Sequence, residues 1–199
     1  MNSHLIEWGV ACLTMPGESQ SGDRHLVQPY TNGVLVAVVD GLGHGAQAAA
    51  AAELAVTILS KYAHESVIAL CKRCHDGLRK TRGVVMSLAS FNERDQTLTW
   101  MGIGNVEGLV LSVESSPRPR DEYLFLRGGV VGGHLPSLSA SFMPVMRGDT
   151  LIFVTDGIRS GFAKGLSMSD PPKLIANRVL ADYSKGSDDA LVLVARYLK

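Results

Sequence analysis

The stretch from 34 to 45, Val-Leu-Val-Ala-Val-Val-Asp-Gly-Leu-Gly-His-Gly, constrains this chain more than any other. An apolar run rich in valine ends on Asp40 and passes into glycines at 41, 43 and 45. A run so short, bounded by turn residues, reads as a strand buried on both faces. The acid at its end is held at a sheet rim. The glycines let backbone groups approach a small charged object, because no Cβ intervenes. The alanine-rich stretch behind them predicts a helix from about Ala46 to Ala63, with Leu54, Ile58, Leu59 and Tyr62 as core contacts. Strand, acidic glycine-rich turn and helix together build a metal or phosphate site. An aspartate that merely caps a corner is the plainer alternative.

The rest of the chain offers that corner a sheet-rich setting. Candidate strands are Leu5 to Leu13, His25 to Gln28, Val84 to Phe91, Thr97 to Ile103, Gly108 to Val113, Glu122 to Arg127, Ser141 to Val145, Asp149 to Val154 and Ala190 to Tyr197. Ser66 is placed to cap a second helix, Val67 to about Thr81, and Asp170 to cap a third, reaching about Tyr183. The two longest helices are consecutive and early, and strands with short connections fill the middle. That is not the alternation of a doubly wound sheet; antiparallel sheets covered by helices is the expected architecture, of α+β class. No repeat or long linker divides the chain, so residues 1–199 are read as one domain.

Charge and cysteine content narrow the function. Nineteen basic residues balance nineteen acidic ones, so nothing global attracts nucleic acid or an anionic membrane. No apolar run is long enough to span a bilayer and the start lacks a signal-peptide pattern, so a cytoplasmic location is expected. Three cysteines, at 12, 71 and 74, suit reduced thiols. Cys71-Lys-Arg-Cys74-His75 spells a haem-attachment pattern. Yet Val67, Leu70, Cys71, Cys74 and Leu78 recur at helical spacing, which predicts a core face instead.

The chemistry concentrates in acids at strand ends: Asp40, Asp156 after Leu-Ile-Phe-Val-Thr, and Asp188 or Asp189 before Leu-Val-Leu-Val. Asp23 ends a polar loop as a further candidate. Carboxylates gathered at one rim repel one another unless cations bind between them. Hard oxygen ligands suit Mg²⁺ or Mn²⁺, and paired ions of this kind can activate water and clamp a phosphoryl group.

Asp40-Gly-Leu-Gly-His-Gly, Thr155-Asp-Gly and Asp188-Asp-Ala-Leu-Val-Leu, in that order and spacing, resemble the metal-dependent protein phosphatases of type 2C, the PPM family. The branch that regulates sporulation and stress sigma factors fits best, and the likeness covers nearly the whole chain. The resemblance implies a four-layer αββα sandwich, two antiparallel sheets between helix pairs. It implies two Mn²⁺ or Mg²⁺ ions, with Asp40 bridging them, the Gly41 carbonyl completing the first site, and Asp156 and Asp188 holding the second ion. Asp23 would bind water on a metal. A hydroxide between the ions would attack phosphoserine or phosphothreonine directly, without a phosphoenzyme. The implied substrates are phosphorylated regulatory proteins of stressosome (STAS-domain) type, and the implied enzyme is a monomer.

The chain also departs from the family pattern. Leu42 stands where many relatives carry a histidine thought to protonate the leaving group; His44, two residues on, is the replacement candidate. Asn105 stands where relatives have an aspartate that can bind a third ion. Arg24 is the candidate clamp for the substrate phosphate. Substrate choice is expected to lie in the loops 114–121 and 128–139. Two alternatives compete: an ATP-binding anti-sigma-factor serine kinase, whose lid also reads Asp-x-Gly-x-Gly, and a catalytically silent binding module on the same fold.

Overall fold

The computed structural model describes residues 5–113 and 121–199, and the following statements concern these. The elements are β1 (Ile6–Leu13), β2 (Asp23–Tyr30), β3 (Gly33–Gly41), α1 (Gly45–Lys61), α2 (Val67–Leu78), β4 (Val84–Asn92), β5 (Thr97–Ile103), β6 (Glu107–Leu111), β7 (Asp121–Tyr123), β8 (Leu126–Arg127), β9 (Ser141–Pro144), β10 (Thr150–Val154), α3 (Pro172–Tyr183) and β11 (Ala190–Tyr197). One sheet runs β1-β11-β10-β6-β7; the other runs β2-β3-β4-β5-β8, with β9 also on β5. Every pairing is antiparallel except the short β5–β8 pair.

Two-residue periodicity builds three apolar layers from these strands. On β3, Val34, Val36 and Val38 face the other sheet, while Leu35, Ala37 and Val39 face α1 and α2. On β11, Leu191, Leu193 and Ala195 point between the sheets and Val192 and Val194 point to α3. Phe91 and Tyr197 stack across the inter-sheet layer with centroids 5.9 Å apart.

The outer layers differ. Two helices, α1 and α2, cover the β3 sheet. The β11 sheet carries α3 and an irregular segment whose Ile158 and Phe162 are buried, where the resemblance implied a second helix pair. Helix α1 buries Ala48, Ala51, Ala52, Ala55 and Leu59, but Leu54 is exposed, contrary to its expected core role. The small alanine face lets α1 lie directly on the Asp40 corner: a Cβ at Gly41 would stand 2.1 Å from the Ala48 carbonyl oxygen. Ser66 caps α2 as expected, accepting from the Ala69 amide. Asp170 does not cap α3; Pro171 occupies the cap position and Asp170 pairs with Arg178.

The largest departure lies at 122–127, expected as one strand. The chain instead crosses between sheets there, pairing first with β6 and then with β5. Leu124 drops into the inter-sheet core at the crossing, into space that Gly102 and Gly108 leave open. Local alternation cannot reveal such a switch, because it depends on which edges are free. Of the candidate specificity loop 114–121, residues 114–120 lie outside the described residues.

Candidate metal centre

The site forms where the ends of both sheets meet. Val34, Val36 and Val38 face the inter-sheet layer, and the same parity aims Asp40 there. Asp23 begins β2 directly opposite Asp40 across the antiparallel pair. Like charges so placed are destabilising. From the other sheet come Asp156, two residues beyond β10, and Asp188 and Asp189, just before β11. These five carboxylates line one cleft of about 240 Å³, together with Asn105 and a wall of Leu42, Gly43 and His44.

Electrostatics mark the cost of this gathering. Desolvation, then repulsion from Asp23, Asp156, Asp188 and Asp189, pushes the Asp40 carboxyl up to about 8. Asp23 is pushed up to about 7, mainly by desolvation; a hydrogen bond from Thr155 opposes the rise, and Asp189, Asp156 and Asp188 add to it. Asp156 is also raised, by desolvation and Asp188, against a lowering by Lys185. Among the described residues, no lysine or arginine lines the cleft.

Hydrogen bonds divide the acids by role. Asp189 spends both oxygens on distant backbone: Oδ1 accepts from the Met15 amide at 2.8 Å and Oδ2 from the Gly22 amide at 2.6 Å. Among the described residues, Asp188 accepts only from the Asp189 amide, through Oδ1, leaving Oδ2 open. The Thr155 hydroxyl donates to Asp23 Oδ2 at 2.8 Å and accepts from the Leu191 amide, tying the two sheets together at the cleft. Asn105 Nδ2 donates to Asp156 Oδ2 at 2.7 Å.

The donor set fits hydrated hard cations. It is all oxygen, strongly anionic and backed by glycine: a Cβ at Gly22 would lie 3.3 Å from the Gly41 carbonyl oxygen and 3.4 Å from Asp189 Oδ2. Among the described residues, no three histidine, cysteine or carboxylate side chains stand close enough to hold an ion by themselves. Bare carboxylates that repel will stand apart. Mg²⁺-type ions, which keep several waters and take one or two carboxylates, suit an open ring better than a closed cage.

Asp23, Asp40, His44, Asp156 and Asp188, all singled out in the sequence, thus share one cleft. His44 stands at the start of α1 with its side chain exposed, and its Nδ1 lies 2.5 Å from Glu18 Oε1. Arg24 is no free clamp: its guanidinium donates to Glu53 and to the Ser21 and Asp23 carbonyls. Sequence reasoning missed Glu18 and Thr155. Thr155 carried one signal, its place next to Asp156; Glu18, in a polar loop, carried none.

An acid-lined cleft at the end of two helix-covered sheets defines the class of the type 2C phosphatase domains. The profile of Stage II sporulation protein E (SpoIIE) matches residues 31–198, and the chain belongs to that family. It is 27% identical over 174 residues to the phosphoserine phosphatase RsbX of Bacillus subtilis (strain 168), covering 85% of each chain. The crystal structure of RsbX with magnesium superposes with a TM-score of 0.83 at 22% identity, over 99% of this chain and 98% of that one. A structure from work on the bacterial stressosome as a modular system controlling secondary-messenger signalling gives 0.86 at 26% identity, over 96% and 99%. The catalytic domain of the serine/threonine phosphatase PstP with two manganese ions gives 0.73 at 14% identity, over 98% and 99%. The chain is therefore a metal-dependent protein serine/threonine phosphatase by family and fold. The kinase alternative needs a helix ahead of the glycine-rich turn, and the elements that precede it among the described residues are β1, β2 and β3. No helix among the described residues is long and apolar enough to cross a membrane.

Proposed function

We propose that this phosphatase hydrolyses phosphoserine or phosphothreonine on a regulatory protein of the stressosome kind, and so resets a stress signal. Asp40, Asp156 and Asp188, with the Gly41 carbonyl, would hold two Mn²⁺ or Mg²⁺ ions, and Asp23 would fix a water on one of them. Such ions supply a nucleophilic water at neutral pH and neutralise charge on the phosphoryl oxygens during in-line displacement. The division between Asp188 and Asp189 favours Asp188 as ligand, because Asp189 is already spent on two amides.

The protein's own groups orient and protonate. Asn105 holds Asp156 by one carboxylate oxygen, Oδ2, at the edge of the cleft that both residues line. Thr155 steadies Asp23 against its neighbours. His44, its Nδ1 donating to Glu18, keeps Nε2 to return a proton to the serine or threonine oxygen as it leaves. The pairing with Glu18 gives this histidine the orienting partner that a general acid needs.

One observation carries the reading. A buried carboxylate, Asp23, and a half-buried one, Asp40, are paired face to face and raised to about 7 and about 8, in a cleft that no basic side chain lines among the described residues. A fold bears that cost for cations. Support comes from the likeness to RsbX and to the stressosome structure. The test is phosphate release from a phosphoserine protein with Mn²⁺ and with EDTA. Release that needs metal and vanishes in Asp156→Asn is the expected result. No release from any phosphoprotein, with no Mn²⁺ bound by calorimetry, would leave the silent binding module.

A further inference from the structure

The acids account for cations but leave the anionic substrate without a partner, since Arg24 is engaged elsewhere. A different guanidinium reaches the rim. Arg82 is exposed and makes no ion pair or hydrogen bond among the described residues, yet its Nη1 stands where a Cβ at Gly43 would come within 2.7 Å of it. Gly43 lines the cleft and has φ +85°, a backbone that side chains rarely adopt. The position is therefore open above its α-carbon, and Arg82 fills that opening.

The backbone that carries Arg82 is firmly built. The Leu42 amide donates to the Gly83 carbonyl at 3.1 Å, which joins the α2–β4 turn to the Asp40 corner. The Thr81 hydroxyl donates to the Leu78 carbonyl and accepts from the Gly83 amide, and Gly83 itself has φ +81°. Lys185 is a cation near the acids, and its influence falls on Asp156. Arg82 is the one whose planar fork remains unspent at the cleft mouth, and such a fork suits two phosphoryl oxygens at once.

We infer that Arg82 binds the phosphoryl group of the substrate at the rim formed by Gly43. This inference rests on the phosphatase reading above. It places a positive clamp at the Gly43 wall of the cleft, reached from the α2–β4 turn rather than from Arg24 on β2.

The test uses the full chain with Mn²⁺, as wild type, Arg82→Ala, Arg82→Lys and, as a control away from the cleft, Arg79→Ala, whose guanidinium pairs with Asp76. The probes are p-nitrophenyl phosphate, a phosphoserine peptide and inorganic phosphate as inhibitor; Mn²⁺ binding is read by calorimetry. Arg82→Ala should raise KM about tenfold or more, and raise the inhibition constant of inorganic phosphate in parallel. Its kcat should change by no more than about threefold, as expected when the deleted group binds the ground state and the transition state equally well. Arg82→Lys should fall between, Arg79→Ala should match wild type, and the Mn²⁺ isotherm should stay the same in all. Unchanged KM and phosphate inhibition in Arg82→Ala, with metal-dependent release intact, would overturn the inference and leave the phosphatase standing. Loss of Mn²⁺ binding in Arg82→Ala would also overturn it, showing a group that serves the acids. Wild type that binds Mn²⁺ but releases no phosphate would overturn both.

Discussion

Two regions of this molecule carry residues of metal-binding type, and they have opposite fates. On α2, Cys71 and Cys74 are fully buried beside Leu70, Leu78 and Leu59, and burial pushes both thiols up to about 12. Their neighbour His75 accepts a hydrogen bond from the Gly132 amide through Nδ1. The thiols stay protonated and act as small apolar side chains. At the cleft, acids are also raised by burial, but there they face one another across a polar cavity that water and ions can enter. Residue type proposes a metal site; the surroundings decide it. A dry helix face offers nothing to a cation, whereas a ring of mutually repelling carboxylates gains by binding one.

The sharpest way to break this comparison is to replace one candidate ligand in each region. Asp40→Asn should lower turnover by roughly a thousandfold or more, because the ions contribute several kcal/mol to the transition state. Cys71→Ser should leave turnover and metal stoichiometry unchanged. Equal losses would mean that the thiols also bind metal.

A smaller effect tests how the acids are held. Asn105→Ala removes the amide that positions Asp156, and should weaken Mn²⁺ binding about 10- to 100-fold by calorimetry, with the fold intact by circular dichroism. An unchanged isotherm would show that Asp156 needs no such support.

The pH dependence of stability follows from the raised acids. Folded Asp40 titrates near 8 and Asp23 near 7, against 3.8 for the unfolded chain, so between those values the folded state holds more protons. Stability in EDTA should therefore fall as pH rises from about 4 to about 8, after which the full penalty is in place. Mn²⁺ competes with those protons, so its stabilising effect should grow over the same range. Thermal denaturation at several pH values, with EDTA and with Mn²⁺, reads both slopes. In EDTA at pH 8, Asp40→Asn should melt above wild type, because the repulsion is gone. A lower melting temperature would make Asp40 structural.

The smallest effect belongs to the thiol face. Cys74→Ala deletes one buried atom and should cost on the order of 1 kcal/mol in denaturant titration, with no change in metal content.

Much of the site was legible because its determinants are local. Asp40 follows an apolar run whose alternation places it at a strand end, glycines mark the turn, and alanines make the helix behind it. The buried face of α2 was legible by the same reasoning, from the spacing of Val67, Leu70, Cys71, Cys74 and Leu78. Where local logic failed, the partner was distant. The strand expected at 122–127 was divided by two free sheet edges, and Asp170 lost its capping place to the proline that follows it.

The sequence by itself determined the strand–acid–glycine–helix corner, the acids at strand ends and the family to which they point. These rest on side-chain periodicity and backbone freedom, which act within a few residues. Only the tertiary structure decided which acid stays free and which cation stands at the Gly43 rim. Asp189 is taken by amides 174 and 167 residues away in the chain, and Asp188 is left open. Arg24 is drawn to Glu53, while Arg82 is carried to Gly43 by a turn anchored to the Asp40 corner. Such choices depend on hydrogen bonds closed across the fold, and a spacing along the chain does not contain them.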